Sequence, residues 1–372
     1  MRTKAGRMKG VVAAAMSGGV DSSVAAALLK DDGFEVIGVT MNLFSLPKDA
    51  CASEDLRSCC GWKAQEDANR VAAALGIPHY IVDFRGEFER DVIRDFCGEY
   101  GRGRTPNPCV RCNQFIKFDL LFERARRLGA EYIATGHYAR IDLDPVTGRR
   151  LLKKGIDPGK DQSYFLYSLS QEALSRTLFP VGGRTKEEIR RLAARRGLSV
   201  ARKAESQEIC FIPDNDYPAF LKTRIPEAFR PGPIVGLAGA KIGDHDGIAY
   251  FTVGQRKGMG IAAPRPLYVV AIDTERNTVV AGGNEDLYKH RLEATHLNWI
   301  SLETLDEPRT VRARIRHKHA EAPAKIIPRD RDRILVEFEK AQRAVTPGQA
   351  VVFYDGDIVV GGGIIDRVLE GD

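Results

Sequence analysis

The sequence predicts an α/β fold, a doubly wound parallel sheet followed by a mainly β second half. Three observations predict it. Apolar runs alternate with amphipathic helical stretches through residues 11–135, and a glycine turn joins the first run to the first helix. From Pro213 onward short strands and turn signals dominate. Element by element, Val11-Val12-Ala13-Ala14-Ala15-Met16 reads as a buried strand, passing through Ser17-Gly18-Gly19 to a helix over 24–29. Residues 35–43 read as the second strand. Residues 63–75 form an alanine-rich helix with Ala64, Ala68, Val71 and Leu75 on one stripe, closed by Gly76. A third strand covers 79–84. Phe88, Val92, Phe96 and Tyr100 recur every fourth residue on the next helix, and residues 115–128 make another before Gly129. The fourth strand, 131–135, ends in Gly136-His137-Tyr138. In such a sheet, ligands sit at the carboxyl ends of the strands.

After Tyr138 the pattern changes. A hairpin over 140–154 turns at Asp144–Gly148, and helices are expected over 171–178 and 186–196. Turns at 245–247 and 273–277, and Asp355-Gly356 between two apolar runs, mark hairpins. Two small β domains dividing near residues 285–290 follow from this.

A chain of 372 residues exceeds one ordinary core, so two or three domains are expected. With 43% hydrophobic and 28% charged residues it has the composition of a soluble protein. No apolar run approaches the roughly 18–20 residues of a membrane span, and the first residues lack the apolar segment of a signal peptide. The expectation is a cytoplasmic protein without a membrane partner. A net charge of +6 permits a nucleic-acid partner without requiring one.

The stretch Ser17-Gly18-Gly19-Val20-Asp21-Ser22-Ser23 is a phosphate cradle: the glycines admit a ligand to the backbone, and the helix start favours an anion. It lacks the Gly-Lys-Ser/Thr of a Walker loop and is not Gly-x-Gly-x-x-Gly. It resembles the pyrophosphate loop of the ATP pyrophosphatase superfamily, whose members transfer AMP to a carbonyl or carboxyl oxygen.

Seven cysteines in a cytoplasmic chain do not read as a disulfide framework. In Arg104-Thr105-Pro106-Asn107-Pro108-Cys109-Val110-Arg111-Cys112-Asn113 two prolines predict an extended segment presenting two cysteines, with Arg104 and Arg111 favouring thiolate. One Cys-x-x-Cys is short of the four ligands of a zinc site. Cys210, between Ile209 and Phe211, reads either as core filler or as a reactive thiol. Cys97 reads as packing, and Cys51, Cys59 and Cys60 as residues of a polar loop.

Further stretches extend the resemblance: Thr105–Asn113, Ala134–Tyr138, Lys160–Leu166, Ile209–Ile212, Thr252–Gly258 and Val345–Gln349. Over nearly its whole length the chain resembles the tRNA-specific 2-thiouridylases of the MnmA/TrmU family. That resemblance implies a PP-loop ATP pyrophosphatase domain (1–215), a small central β domain (216–287) and a C-terminal β-barrel that contacts tRNA (288–372). It implies ATP-dependent replacement of the C2 oxygen of the wobble uridine, U34, by sulfur in tRNAs for Lys, Glu and Gln. ATP would be held by Ala15, Met16, Ser17, Gly18, Gly19, Val20, Asp21, Ser22, Met41 and Gly136, with Mg²⁺ as a cofactor that offsets the phosphate charge. Cys112 would be the nucleophile and Cys210 the persulfide carrier, their reaction ending in a disulfide. Asn107, Pro108 and Cys109 would face the target base. Lys160, Asp161, Gln162, Arg316, His317 and Gln349 would touch tRNA, with His137 and Gln349 as candidates for fixing the flipped base. The sulfur donor would be a cysteine desulfurase or a sulfur-relay protein, and the enzyme a monomer.

Many members carry aspartate where this chain has Cys109. With Cys109, Cys112 and Cys210 the site could instead hold a 4Fe–4S cluster with one open iron; the persulfide route is preferred. Another adenylating ligase or an amidotransferase with the same loop is the competing activity, and it would need no cysteine pair. On the expected strand at 311–316, Val311, Ala313 and Ile315 alternate with Arg312, Arg314 and Arg316, which predicts a basic face toward tRNA.

Overall fold

The computed structural model describes residues 9–44, 61–204, 209–212 and 216–369. Cys51, Cys59 and Cys60 lie outside the described residues. Two compact units form: the described residues of 1–91, 109–215 and 357–359 make the first, and those of 92–108, 216–356 and 360–372 the second.

The first unit is built on five parallel strands: β1 (Val11–Ala15), β2 (Glu35–Asn42), β3 (His79–Asp83), β4 (Tyr132–Ala134) and the short β7 (Thr177–Leu178). Their order is β3-β2-β1-β4-β7. The chain steps outward from β1 on one side and returns to its other side at β4, so β1 and β4 flank the switch point where such sheets bind ligands. Helix α1 (Val20–Asp31) starts earlier than its apolar pattern suggests, which puts Asp21, Ser22 and Ser23 in the first turn. Val12, Ala14, Val24, Ala26 and Leu29 are essentially sealed from solvent and pack with Ala68 and Val71 of α2 (Trp62–Leu75). Burial of each larger aliphatic side chain contributes about 1.5–3 kcal/mol.

Two long helices depart from simple α geometry. The first, α3, spans 85–101, with a wider π stretch at Glu89–Ile93, and the boundary between units falls inside it. The second, α4, runs over 108–127 with a π stretch at Cys112–Leu120. The expected extended segment around the cysteines is therefore corrected: it ends at Asn107, and helix begins at Pro108. Proline suits a first helical position, where its fixed φ is already helical and its missing N–H has no partner to lose.

A second correction concerns 171–178. Helix α5 (Gln171–Ser175), capped by Ser170, stops short, and Thr177-Leu178 joins the sheet as β7 beside β4. The hairpin β5 (Ala139–Leu143) and β6 (Arg150–Lys154) forms as expected, and Lys153 pairs with Ile358. Helix α6 (Lys186–Arg195) opens with a capping box between Thr185 and Glu188 and buries Ile189 and Ala193 against the α1 core.

In the second unit, β8 (Gly232–Gly236), β9 (Lys241–His245), β10 (Tyr268–Asp273) and β11 (Thr278–Gly282) make a small sheet over Ile234, Phe251, Val269 and Val279. Six antiparallel strands follow: β12 (Tyr288–Trp299), β13 (Arg309–Arg314), β14 (Ala322–Asp330), β15 (Arg333–Arg343), β16 (Ala350–Asp355) and β17 (Ile358–Leu369). Their order is β12-β15-β14-β13-β16-β17, and β17 pairs back onto β12, closing a barrel. Closure removes the edge strands. Val311, Ala313, Ile326, Val336, Phe353 and Val360 fill its interior.

Candidate active site

The loop after β1 is held open by its own hydrogen bonds. Ser22 Oγ accepts from the Ser17 N–H at 3.2 Å and donates to the Gly19 carbonyl, while Ser23 Oγ donates to that carbonyl at 2.8 Å. Gly18 takes φ +68°, and a Cβ there would collide with the Ala64 carbonyl oxygen, so the turn requires glycine. Across the switch point, a Cβ on Gly136 would stand 2.6 Å from the Ser22 nitrogen. The loop after β4 thus lies directly against the N-terminus of α1, bringing together two of the expected ATP segments. The side chains of Met16 and Val20 belong to the core, which leaves only their backbone on the loop. Met41, on β2 opposite Val82, is half-buried.

Asp21 poses a problem: a carboxylate stands in the first turn, where an anion should bind. Lys186 solves it. Its ammonium contacts both Asp21 oxygens at 2.8 and 2.7 Å, and the Tyr138 hydroxyl donates to Asp21 at 2.8 Å. Lys203 reaches the same loop, donating to the Gly18 carbonyl at 3.0 Å and to Asp67 at 2.6 Å. Sequence reasoning missed both lysines. Lys186 lies 165 residues from Asp21 and shows in the sequence only as the first residue of the helix expected over 186–196.

His137 Nδ1 lies 2.6 Å from Thr135 Oγ1, and its ring packs against Phe118 and Phe179. Burial, then the charge of Lys117, holds its pKa well below the ordinary histidine value, so the imidazole is neutral at neutral pH. Lys117 donates to Asn113 Oδ1 at 3.0 Å, and Asn113 Nδ2 donates to the Phe165 carbonyl at 2.9 Å. Gln162 Oε1 accepts from the Tyr138 N–H at 3.0 Å, tying that motif to the loop after β4. Asp161 is buried and accepts from Gly155 N–H and from the Ser163 N–H and hydroxyl; Lys160 closes the neighbouring turn.

On α4, Cys109 is exposed and Cys112 is buried at 7% exposure; Cys210 is half-buried beside buried Phe211 and Ile212. Phe88 links the two cysteine segments. Its ring meets that of Phe211 edge-on at 5.6 Å, and its helical turn packs against Cys112–Leu120. Among the described residues, no three His, Cys, Asp or Glu side chains gather closely enough to hold a metal ion. Cys109, Cys112 and Cys210 are thus not assembled as a three-cysteine ligand set, and the cluster alternative has no support in this geometry.

In the second unit, Arg316 donates to the carbonyls of Arg343 and Ala344, and His317 is half-buried. The alternation at 311–316 places its apolar residues inside the barrel. Two of its arginines are engaged locally: Arg314 bonds Glu321 at 2.7 Å and lies over the Tyr354 ring, and Arg312 donates to the Glu321 carbonyl. Gln349 spends its amide on the carbonyls of Thr105 and Pro106.

Residues 10–214 match the tRNA methyl transferase HUP domain, 218–283 the tRNA methyl transferase PRC-barrel domain, and 289–365 the aminomethyltransferase beta-barrel domain. The tRNA-specific 2-thiouridylase MnmA of Symbiobacterium thermophilum is 53% identical over 96% of this chain and 92% of its own length. The chain belongs to the tRNA-specific 2-thiouridylase (MnmA) family. The MnmA of Heliobacterium modesticaldum is 55% identical over 98% of this chain and 94% of its own. Among solved structures, a 4-thiouridine synthetase–RNA complex with bound ATP matches at a TM-score of 0.37 and 18% identity, over 59% of this chain and 51% of that one.

Proposed function

We propose that this chain is an ATP-dependent tRNA-uridine 2-sulfurtransferase acting on U34 of tRNAs for Lys, Glu and Gln. Its domains are 1–215, 216–287 and 288–372. The approach of Gly136 to Ser22 carries the reading, because it joins the phosphate loop to the segment bearing neutral His137. ATP enters as its Mg²⁺ complex; Mg²⁺ draws most of its ligands from phosphates and water, while Asp21 stays paired with Lys186 beneath the loop.

A urea-like carbonyl is a poor electrophile. Attack of the uridine C2 oxygen on the α-phosphorus releases pyrophosphate and converts that oxygen into part of a good leaving group, AMP. The backbone amides of Ser17–Ser22 and the start of α1 stabilise the phosphate charge that develops. Sulfur arrives as a persulfide on Cys210, supplied by a cysteine desulfurase or relay protein. Its terminal sulfur attacks C2 and AMP departs. The Cys112 thiolate then attacks Cys210 Sγ, releasing 2-thiouridine and leaving a Cys112–Cys210 disulfide, which an external thiol reduces. Asn107, Pro108 and Cys109 face the base, which is extruded cheaply because an anticodon loop leaves it unpaired. Lys160, Gln162, Arg316 and His317 meet the tRNA. The enzyme works as a monomer in the cytoplasm; no helix among the described residues is long and apolar enough to cross a membrane.

The test is to incubate protein, ATP, Mg²⁺, a sulfur source and unmodified tRNA, and to resolve the product on a mercury-containing gel. Retarded tRNA with wild type, and none with Cys112→Ala or Cys210→Ala, supports the assignment. Full activity in both variants favours a different adenylating chemistry.

A further inference from the structure

Two of the sequence stretches, Thr252–Gly258 and Val345–Gln349, have little part in the chemistry above. In the second unit both close on the residues that lead into α4. The Thr105 N–H donates to the Pro347 carbonyl at 2.9 Å. Gln349 Nε2 donates to the carbonyls of Thr105 at 2.8 Å and Pro106 at 3.3 Å. Thr105 Oγ1 lies 3.3 Å from Thr252 Oγ1. Gly348, at φ +90°, lets the turn lie flat on this segment: a Cβ there would come within 2.9 Å of the Thr105 nitrogen. Arg104 completes the tie. Its guanidinium bonds Glu99 at 2.7 Å, the Asp366 carboxylate at 3.1 Å, and the carbonyls of Asp366 and Ile365 at 2.9 and 3.1 Å. The turn itself is pinned to β17, with Gly348 N–H donating to Ile365 and Ile365 N–H to Gln349.

Such a density of bonds on so short a segment is more than a connecting loop needs. Pro106 and Pro108 stiffen the chain that leaves it, so an anchor at Arg104–Pro106 is transmitted to Asn107 and Pro108. We propose that Arg104 and Gln349 are positioning residues: they strap the segment 104–106 to the barrel turn and thereby fix Asn107 and Pro108, the end of the same segment, for the target base. Gln349 acts through the Thr105 and Pro106 carbonyls and not by touching the base. This rests on the thiolation reading above.

The test compares Gln349→Leu, Arg104→Met and the double variant for thiolation kinetics, tRNA binding and hydrogen exchange at the Thr105 amide. A strap predicts that each single variant lowers kcat at least tenfold while the tRNA Kd stays within twofold. Because both residues hold one segment, the double variant falls no more than twofold below the worse single one. Exchange at the Thr105 amide accelerates at least tenfold. Should Arg104→Met fail to fold, Arg104→Lys, which keeps the charge and loses the planar fork, takes its place. A tenfold weaker tRNA Kd with unchanged kcat in Gln349→Leu would make it a direct tRNA contact and overturn the proposal. Multiplicative losses in the double variant, or an unchanged kcat despite a loosened Thr105 amide, overturn it too. If wild type thiolates no tRNA, the activity assignment fails by itself, and Thr105 exchange still reports whether the strap exists.

Discussion

Replacing Lys186 by methionine removes a charge from beneath the phosphate loop while keeping much of the side chain's volume. Asp21 then retains only the Tyr138 hydroxyl from its present trio of bonds. The Lys186 side chain is 10% exposed and that of Asp21 28%. Breaking a fully buried pair costs about 3–5 kcal/mol, and partial solvation of Asp21 lowers the expectation to about 2–3 kcal/mol. The abandoned carboxylate also faces incoming phosphates, so ATP affinity should fall tenfold or more, about 1.4 kcal/mol. Denaturant unfolding and ATP titration of Lys186→Met, Asp21→Asn and the double variant measure both effects. In the double variant both charges are gone, so stability should recover by at least about 1 kcal/mol relative to Lys186→Met. Strictly additive losses would refute the pairing: Asp21 would then owe nothing to the Lys186 ammonium.

Gly136→Ala drives a methyl to 2.6 Å from the Ser22 nitrogen; overpacking of this kind costs about 1–3 kcal/mol, and the KM for ATP should rise more than that for tRNA. His137 has a depressed pKa when folded, so the unfolded chain binds more protons below about pH 6.5. Its contribution to stability is full above that pH and is lost as pH falls toward the folded value. His137→Asn should therefore flatten the stability profile on the acid side, and a profile identical to wild type would refute this. Arg314→Gln leaves Glu321, whose side chain is 11% exposed, with a weaker partner. It should destabilise the barrel by about 1–3 kcal/mol in denaturant while changing tRNA affinity less than twofold in a filter-binding assay.

The parallel sheet, the cradle after β1 and the barrel's inward stripe were legible because each is a local signal. Alternation, glycine pairs and apolar runs act within a few residues, and Val311, Ala313 and Ile315 point inward as their spacing requires. Where local signals conflict, the sequence misleads. Pro106 and Pro108 look alike as breakers, yet one ends an extended strap and the other starts α4. The run 171–178 has helical composition, but the vacant edge of β4 offers Thr177-Leu178 ladder bonds that a further helical turn could not match.

By itself, then, the sequence determined most of the elements, the glycine loop after β1 and the segments that carry Cys109, Cys112 and Cys210. Tertiary structure alone decided that Lys186 neutralises Asp21, that Gly136 lies against Ser22, and that Gln349 holds Thr105 and Pro106. The reason is physical: hydrogen bonds and ion pairs act over about 3 Å, and no pattern along the chain records which residues, separated by a hundred positions or more, will come that close once the sheet and barrel have closed.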